Sequence, residues 1–179
     1  TEFIVSTDDN EISNISKKYG ARVIQRPKDI SIDNSPTEEC LIHALNYLSK
    51  KGEEYDYVVI LEPTSPFRKA STIDKAINET IIQNSESLLT VIKTKENIGT
   101  LDKNSFFKQI RKDQARRRQD RSDLFIESST LYVVSVDYLK KKNSIVSDKW
   151  LAFVINKDEA IDINTYLDLD YARFRMQNN

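Results

Sequence analysis

Glycine is scarce in this 179-residue chain: Gly20, Gly52 and Gly99 are all it has, and no glycine-rich phosphate loop can be assembled from them. The single cysteine, Cys40, excludes an internal disulfide framework and suits a reducing cytoplasm. It falls in a helical pattern with no obvious activating neighbour, so it reads as a packed thiol. The one histidine, His43, sits between Ile42 and Ala44 without a relay partner and reads as structural. With no credible Ser/His/Asp set and no Cys/His metal cluster, the sequence argues against hydrolysis through a covalent intermediate. No apolar run is long enough to span a bilayer and no signal peptide opens the chain, so no membrane role is expected. A formal net charge of −1 argues against generic nucleic-acid binding.

What remains is an ordinary soluble composition, 39% apolar and 31% charged, at a length that suits one domain over residues 1–179. The most informative stretch runs from Tyr55 to Arg68. Tyr57–Leu61 is a short, β-branched apolar run, the pattern of a strand buried on both faces. Pro63 and Pro66 then bracket Thr64 and Ser65, so the chain leaves the sheet in a stiff turn carrying two hydroxyls, with Glu62 and Arg68 beside them. In open α/β sheets ligands bind beyond the carboxyl ends of strands, where such groups collect.

Around this stretch strands and helices alternate. Phe3–Val5 is a strand; Asp8 or Asp9 caps a helix carrying Ile12 and Ile15, which Gly20 ends. Val23-Ile24 is a strand, and Pro36 opens a helix with Leu41, Ile42, Leu45 and Leu48 on one face. A helix is expected over 71–83, with Ser71 and Asp74 as a capping box and Ile73, Ile77 and Ile81 inward. Leu88–Ile92, Thr130–Val136 and Leu151–Ile155 are strands, Val136–Lys142 a short helix. The last helix presents Leu167, Leu169, Tyr171 and Phe174. The expected class is α/β, a mostly parallel sheet with helices on both faces. Residues 93–129 break the alternation and read as a long polar loop of the kind that is functional or partner-stabilised.

Two further features carry chemistry. Asp162-Ile163-Asn164 sets two oxygen-bearing side chains at i and i+2, on one side of an extended backbone, suited either to Mg²⁺ with phosphates or to capping of the next helix by Asn164. Asp102–Arg121 holds eight basic residues against Asp102, Asp113 and Asp120, concentrated at Arg116-Arg117-Arg118. That cluster could grip a small anion bidentately or be a solvated face; few aromatics interleave, which disfavours nucleic acid.

Taken together and in order, Ser6-Thr7-Asp8-Asp9, Arg26-Pro27 with Asp33, Glu62-Pro63-Thr64-Ser65-Pro66-Phe67-Arg68, Arg117-Arg118-Gln119-Asp120 and Ile161-Asp162-Ile163-Asn164-Thr165 resemble the acylneuraminate cytidylyltransferases, the CMP-sialic acid synthetases. The resemblance spans nearly the whole chain. It implies a Rossmann-like nucleotidyltransferase fold, a cytoplasmic homodimer, and transfer of CMP from CTP to a nonulosonic acid with Mg²⁺ supporting the pyrophosphate leaving group. Carried across motif by motif, it assigns Arg26, Ser35 and Thr37 to the cytidine, and Glu62, Thr64 and Ser65 to the acceptor sugar with Arg68 supporting their loop. Arg118 and Gln119 match an arm, within residues 93–135, that reaches the sugar across the dimer. Asp162 matches a metal-binding aspartate, with catalysis resting on Asp162 and Arg118.

The departures matter as much. The family opens with a glycine- and basic-rich phosphate loop, and this sequence begins after it, so the chain alone is expected to be N-terminally incomplete and inactive or weak. Asn164 stands where a second metal carboxylate is usual. Phe125-Ile126-Glu127-Ser128-Ser129 replaces a segment that normally carries arginine, asparagine and glycine, so Ile126 and Ser128 lose contacts to the sugar acid. Glu62 replaces the commoner glutamine. These changes point to a different acceptor, such as another nonulosonic or an eight-carbon acid, or to a non-catalytic nucleotide- or sugar-binding relative. A strong salt-dependent affinity for oligonucleotides would instead mark an anion-binding domain built on the arginines.

Overall fold

The computed structural model describes residues 1–178. The chain divides into two compact units, residues 1–58 with 134–148, and residues 59–133 with 149–179. The boundaries fall inside two strands, between Val58 and Val59 and between Val133 and Val134.

The first unit opens with β1 (Ile4–Thr7), α1 (Asn10–Lys18) and β2 (Arg22–Gln25), and β1 and β2 pair in parallel with Val5 opposite Val23. Of the two candidate caps for α1, Asp9 is used: its Oδ1 accepts from the Ile12 amide at 2.8 Å. Gly20 follows at φ +84°, a conformation that costs glycine little and other residues strain. Pro36 directly precedes α2 (Thr37–Ser49), as its fixed φ favours. A carboxylate–guanidinium pair, Arg22 to Glu53 at 2.6 and 2.9 Å, ties β2 to the chain that follows α2. After Val134 comes α4 (Val136–Lys142), found over its expected residues and capped by Ser135. Ala21, Ile24, Leu45, Leu48, Val134, Val136 and Leu139 are the buried apolar set here, and α2 packs on α4. Ile12 and Ile15 of α1 are half exposed, and the helix buries Ser13.

The second unit carries a four-stranded sheet in the order β3 (Tyr57–Ile60), β7 (Leu124–Ser135), β4 (Ser87–Thr94), β8 (Leu151–Ile155). Strands β4 and β8 are parallel, Thr90 opposite Phe153. Leu88, Leu131, Val133 and Thr90 are buried to the last few per cent, and α3 (Ala70–Ile82) covers β4 and β8. The non-adjacent order is what α/β crossover connections produce.

Four expectations fail in this unit. Helix α3 begins at Ala70 after an N-cap at Lys69, so Ser71 caps nothing. Its buried face is Thr72, Ala76 and Thr80, one residue off the Ile73–Ile77–Ile81 stripe, and Ile81 is 53% exposed. The closing helix, α5 (Tyr166–Gln177), buries Ala172 and leaves Leu167, Tyr171 and Phe174 exposed. Nor is 93–129 structureless. It contains an antiparallel hairpin of β5 (Gly99–Leu101) and β6 (Phe107–Gln109), a 3₁₀ turn at Arg118–Asp120, and the first half of β7. Gly99 is required there, because a Cβ would collide with the Lys108 carbonyl and the Phe107 ring.

Candidate active site

In the first unit, Arg26 leaves β2 with its amide donating to the Thr7 carbonyl at 2.9 Å. Its guanidinium has Asp8 at 3.8 Å on one side and donates from Nη1 to the Cys40 sulfur at 3.1 Å on the other. Cys40 lies early in α2, so Arg26 and Thr37, the first residue of α2, are held at the same end of that helix. Ser35 is half-buried in the turn before it, its amide bonded to the Ile32 carbonyl. The Nε of Arg26 is buried and unpartnered. A cation held by one remote carboxylate and one thiol, with a donor to spare, suits an incoming anion. The sequence reading saw no charged neighbour for Cys40; the fold supplies one across 14 residues.

In the second unit the Tyr57–Ile60 strand runs into a tight turn. The Ser65 amide donates to the Glu62 carbonyl at 3.1 Å, with Pro63 at the position a β-turn favours for proline. Arg68 then folds back over the turn, Nη2 to the Glu62 carbonyl and Nε to the Ser65 carbonyl at 3.0 Å. Burial lowers the Arg68 pKa from its ordinary value, partly offset by the nearby Glu62 charge. Ser65 is fully buried with an unpartnered hydroxyl, so it packs under the turn, and Thr64 is exposed above it.

A second loop, 156–165, is bound to this turn. The Ile163 amide donates to the Thr64 carbonyl at 2.9 Å. Glu159, 5% exposed, accepts from the Lys69 amide at 3.2 Å and the Thr72 hydroxyl at 2.5 Å, with the Lys69 ammonium at 3.7 Å. It therefore serves as the N-terminal cap of α3 that Ser71 was expected to be. The loop delivers Asp162 beside Thr64. Burial works to raise the Asp162 pKa, but the Thr64 and Ser129 hydroxyls and the Asn164 amide outweigh it, so the carboxylate stays ionised and its pKa falls. Asn164 donates to Asp162 Oδ2 at 2.8 Å, so the two side chains do share one side. Helix α5 is capped by Thr165 in a reciprocal box with Asp168, which removes the capping role considered for Asn164. Oδ1 of Asp162 is buried and receives no hydrogen bond of normal geometry. An ionised oxygen without a hydrogen bond of normal geometry fits a divalent cation, so Asp162 could hold Mg²⁺; Asn164, the second candidate ligand, turns its amide nitrogen to the other carboxylate oxygen.

Sequence reasoning missed Tyr132 and Glu127. The Tyr132 hydroxyl donates to Glu127 Oε1 at 2.9 Å. Burial pushes the Tyr132 pKa up, and the hydrogen bond to Glu127 and the charges of Glu127, Glu62 and Asp162 push it further. Nothing in the local pattern of β7 announces this. Ser128, expected to have lost a sugar contact, is buried and bonded to the Thr130 hydroxyl at 2.7 Å, while Ile126 is 40% exposed.

Arg118 and Gln119 make their contacts elsewhere. Arg118 pairs with Glu96 at 2.9 Å, and the Lys95 ammonium donates to the Gln119 carbonyl at 2.9 Å. With Lys93, Thr94 and Lys157 they line an open, basic cleft of about 520 Å³. Among the described residues no helix is long and apolar enough to cross a membrane.

Against known proteins, the Cytidylyltransferase family model matches residues 1–169. The chain is 23% identical to the N-acylneuraminate cytidylyltransferase of Escherichia coli over 94% of its own length and 40% of that protein's. It is 24% identical to a pseudaminic acid cytidylyltransferase of Campylobacter jejuni over 99% of itself and 79% of that protein. The chain thus spans less than half of one of these curated relatives and about four-fifths of the other. Among solved structures, a CMP:2-keto-3-deoxy-manno-octonic acid synthetase complexed with CTP superposes with a TM-score of 0.67 at 11% identity, over 99% of this chain and 81% of that one. That likeness supports the α/β nucleotidyltransferase fold expected from the sequence. With nearly its full length matched, the chain belongs to the cytidylyltransferase family.

Proposed function

We propose that this chain transfers CMP from CTP to a nonulosonic acid, releasing pyrophosphate. The acceptor's anomeric hydroxyl attacks the α-phosphorus as the bond to pyrophosphate breaks. Such chemistry needs positioning and charge neutralisation more than a protein nucleophile. The observation that carries the reading is the bound pair of loops, Thr64 against Ile163, which presents an ionised, half-orphaned Asp162 beside the acceptor turn. Mg²⁺ held at Asp162 and Asn164 would neutralise phosphate charge. Arg26, Ser35 and Thr37 would hold the cytidine, with Arg26 offering its free Nε. Glu62, Thr64 and Ser65 would shape the acceptor side, with Arg68 fixing their turn.

The proposal includes a homodimer in the cytoplasm. Leu101, Phe106, Phe107 and Ile110 of the hairpin segment are each more than half exposed, an apolar surface that a second copy would cover while bringing Arg118 and Gln119 to the sugar. The test is incubation with CTP, MgCl₂ and a panel of eight- and nine-carbon 2-keto sugar acids, reading pyrophosphate and the CMP-sugar mass. Formation of one CMP-sugar is expected, at the weak rate the sequence reading gives this chain; no product with any acid, however long the incubation, would overturn the reading. The Asn164 amide, in place of a second carboxylate, favours one alternative: a binding-only relative, which would take up CTP in calorimetry without turnover.

A further inference from the structure

We infer that Glu159 is a positioning residue for Asp162: it ties the Asp162 loop to the Glu62–Lys69 turn and to the sheet, and so fixes where the Asp162 carboxylate stands. All the residues concerned lie in the second unit. The Glu159 side chain is buried and accepts from the Lys69 amide and the Thr72 hydroxyl, with the Lys69 ammonium beside it. Helix α3 has no substitute of its own, because its first turn carries no acidic residue and the Lys69 side chain makes no capping bond. The main chain of the same glutamate is held from the other side: the Thr130 hydroxyl of β7 donates to the Glu159 carbonyl at 3.4 Å. Thr130 shares a hydrogen bond with the Ser128 hydroxyl at 2.7 Å, and the Ser128 carbonyl accepts from Thr90 of β4 at 2.8 Å. One residue thus joins a helix, a loop and two strands.

The consequence falls on Asp162 through its neighbours. The Thr64 and Ser129 hydroxyls that bond the Asp162 carboxylate come from the turn and from β7, the same two elements that Glu159 holds together. Lys69 ends that turn, and Thr130 adjoins Ser129. Asp162 also lies three residues after Glu159 and one before Ile163, whose amide bonds the Thr64 carbonyl. Its loop is therefore anchored on both sides of it, to one stretch of chain between Thr64 and Thr72. A buried carboxylate with its donors in place is costly to pull out, so the anchor is stiff. A cap that merely held α3 together would do nothing at Asp162. This inference rests on the transferase reading, which gives the placement of Asp162 its purpose, and adds a positioning residue to it.

The test compares Glu159→Ala, Glu159→Gln, Thr72→Val and, as a control for lost stability, Leu88→Ala, a core truncation at the start of β4. Two readouts are taken on folded protein: hydrogen exchange at the Ile163 amide, and Mn²⁺ affinity by electron paramagnetic resonance. In Glu159→Ala the Ile163 amide should exchange about tenfold faster, through local opening of its loop. Mn²⁺ affinity should fall about tenfold or more, the scale on which groups that orient a metal ligand register. Leu88→Ala should lose Tm and change neither readout. Glu159→Gln keeps an acceptor for Lys69 and Thr72 and should recover most of both losses. Thr72→Val removes one of the two bonds and should shift both readouts the same way by less; it decides the question if Glu159→Ala does not fold. Unchanged readouts in Glu159→Ala and Thr72→Val, an equal change in Leu88→Ala, no recovery with Glu159→Gln, or no Mn²⁺ bound by the native protein would overturn the inference. If the native protein turns over no acid, the transferase reading fails separately, and exchange and Mn²⁺ affinity still decide the role of Glu159.

Discussion

The Glu62–Lys69 turn and the hairpin arm sit in the same unit and are built on opposite terms. Residues 62–69 are fixed by their own chain: an Arg68 brace, a buried Glu159 cap and an amide bond from Ile163. Residues 98–121 expose Leu101, Phe106, Phe107 and Ile110, and their ion pairs, such as Arg118–Glu96 and Arg117–Asp120, lie at the surface. The turn is preorganised before any ligand arrives. The arm carries exposed apolar area, and its charges pair only at the surface. On the proposed dimeric reading, one half of the site is set by folding and the other would be set by association.

The largest expected effect tests the rigid half. Asp162→Asn should reduce CMP-sugar formation about 100-fold or more, the scale on which lost charge stabilisation registers. Circular dichroism should show an unchanged fold. Next, Glu159→Ala leaves the Lys69 amide and Thr72 hydroxyl unpaired and should cost about 1–3 kcal/mol in urea unfolding. If it cost nothing, the loop pair would not be braced as described. Serine at both Leu101 and Phe107 should change stability by about 0.5 kcal/mol or less in the isolated chain. The same double variant should shift sedimentation from dimer to monomer. Arg118→Ala should move stability by no more than about 1 kcal/mol, as exposed ion pairs do. An arm substitution as costly as Glu159→Ala would erase the contrast.

The smallest effect is a pH dependence. The Thr165 hydroxyl, then the Thr165 and Asn164 amides, lower the Asp168 pKa below its ordinary value. The unfolded chain therefore binds this proton more readily than the folded one. The carboxylate's stabilisation is fully present above the unfolded aspartate range and fades as pH falls through the folded value. Native protein should lose Tm on acidification below about pH 4 more steeply than Asp168→Asn, near the ordinary aspartate pKa. Parallel curves would show that the capping box contributes no proton linkage.

Local signals made much of this legible. A β-branched run followed by Pro-Thr-Ser-Pro announced β3 and its turn, because proline dictates backbone geometry by itself. Gly20 and Pro36 marked helix ends for the same reason. The misreadings share one physical cause. Ser71 and Asp74 have capping spacing, yet α3 is capped from Glu159, 90 residues from Lys69, and spacing cannot report a partner that distant. The buried face of α3 consequently starts at Thr72, whose hydroxyl bonds Glu159, and the isoleucine stripe turns outward. Tyr132 escaped notice because its neighbours Glu62 and Asp162 come from other loops. The Asp162–Asn164 pairing was foreseeable from i, i+2 geometry; the Thr165 cap, one residue later, was overlooked.

The bond from Ile163 to Thr64 has a consequence for protein engineering. Acceptor-turn sequences could not be exchanged between relatives alone, since a graft of residues 62–69 would arrive without the strap that shapes it. The smallest transplantable piece is two segments, 62–72 and 156–165, moved together. A chimera carrying both should retain the recipient's melting temperature, whereas either segment alone should lower it.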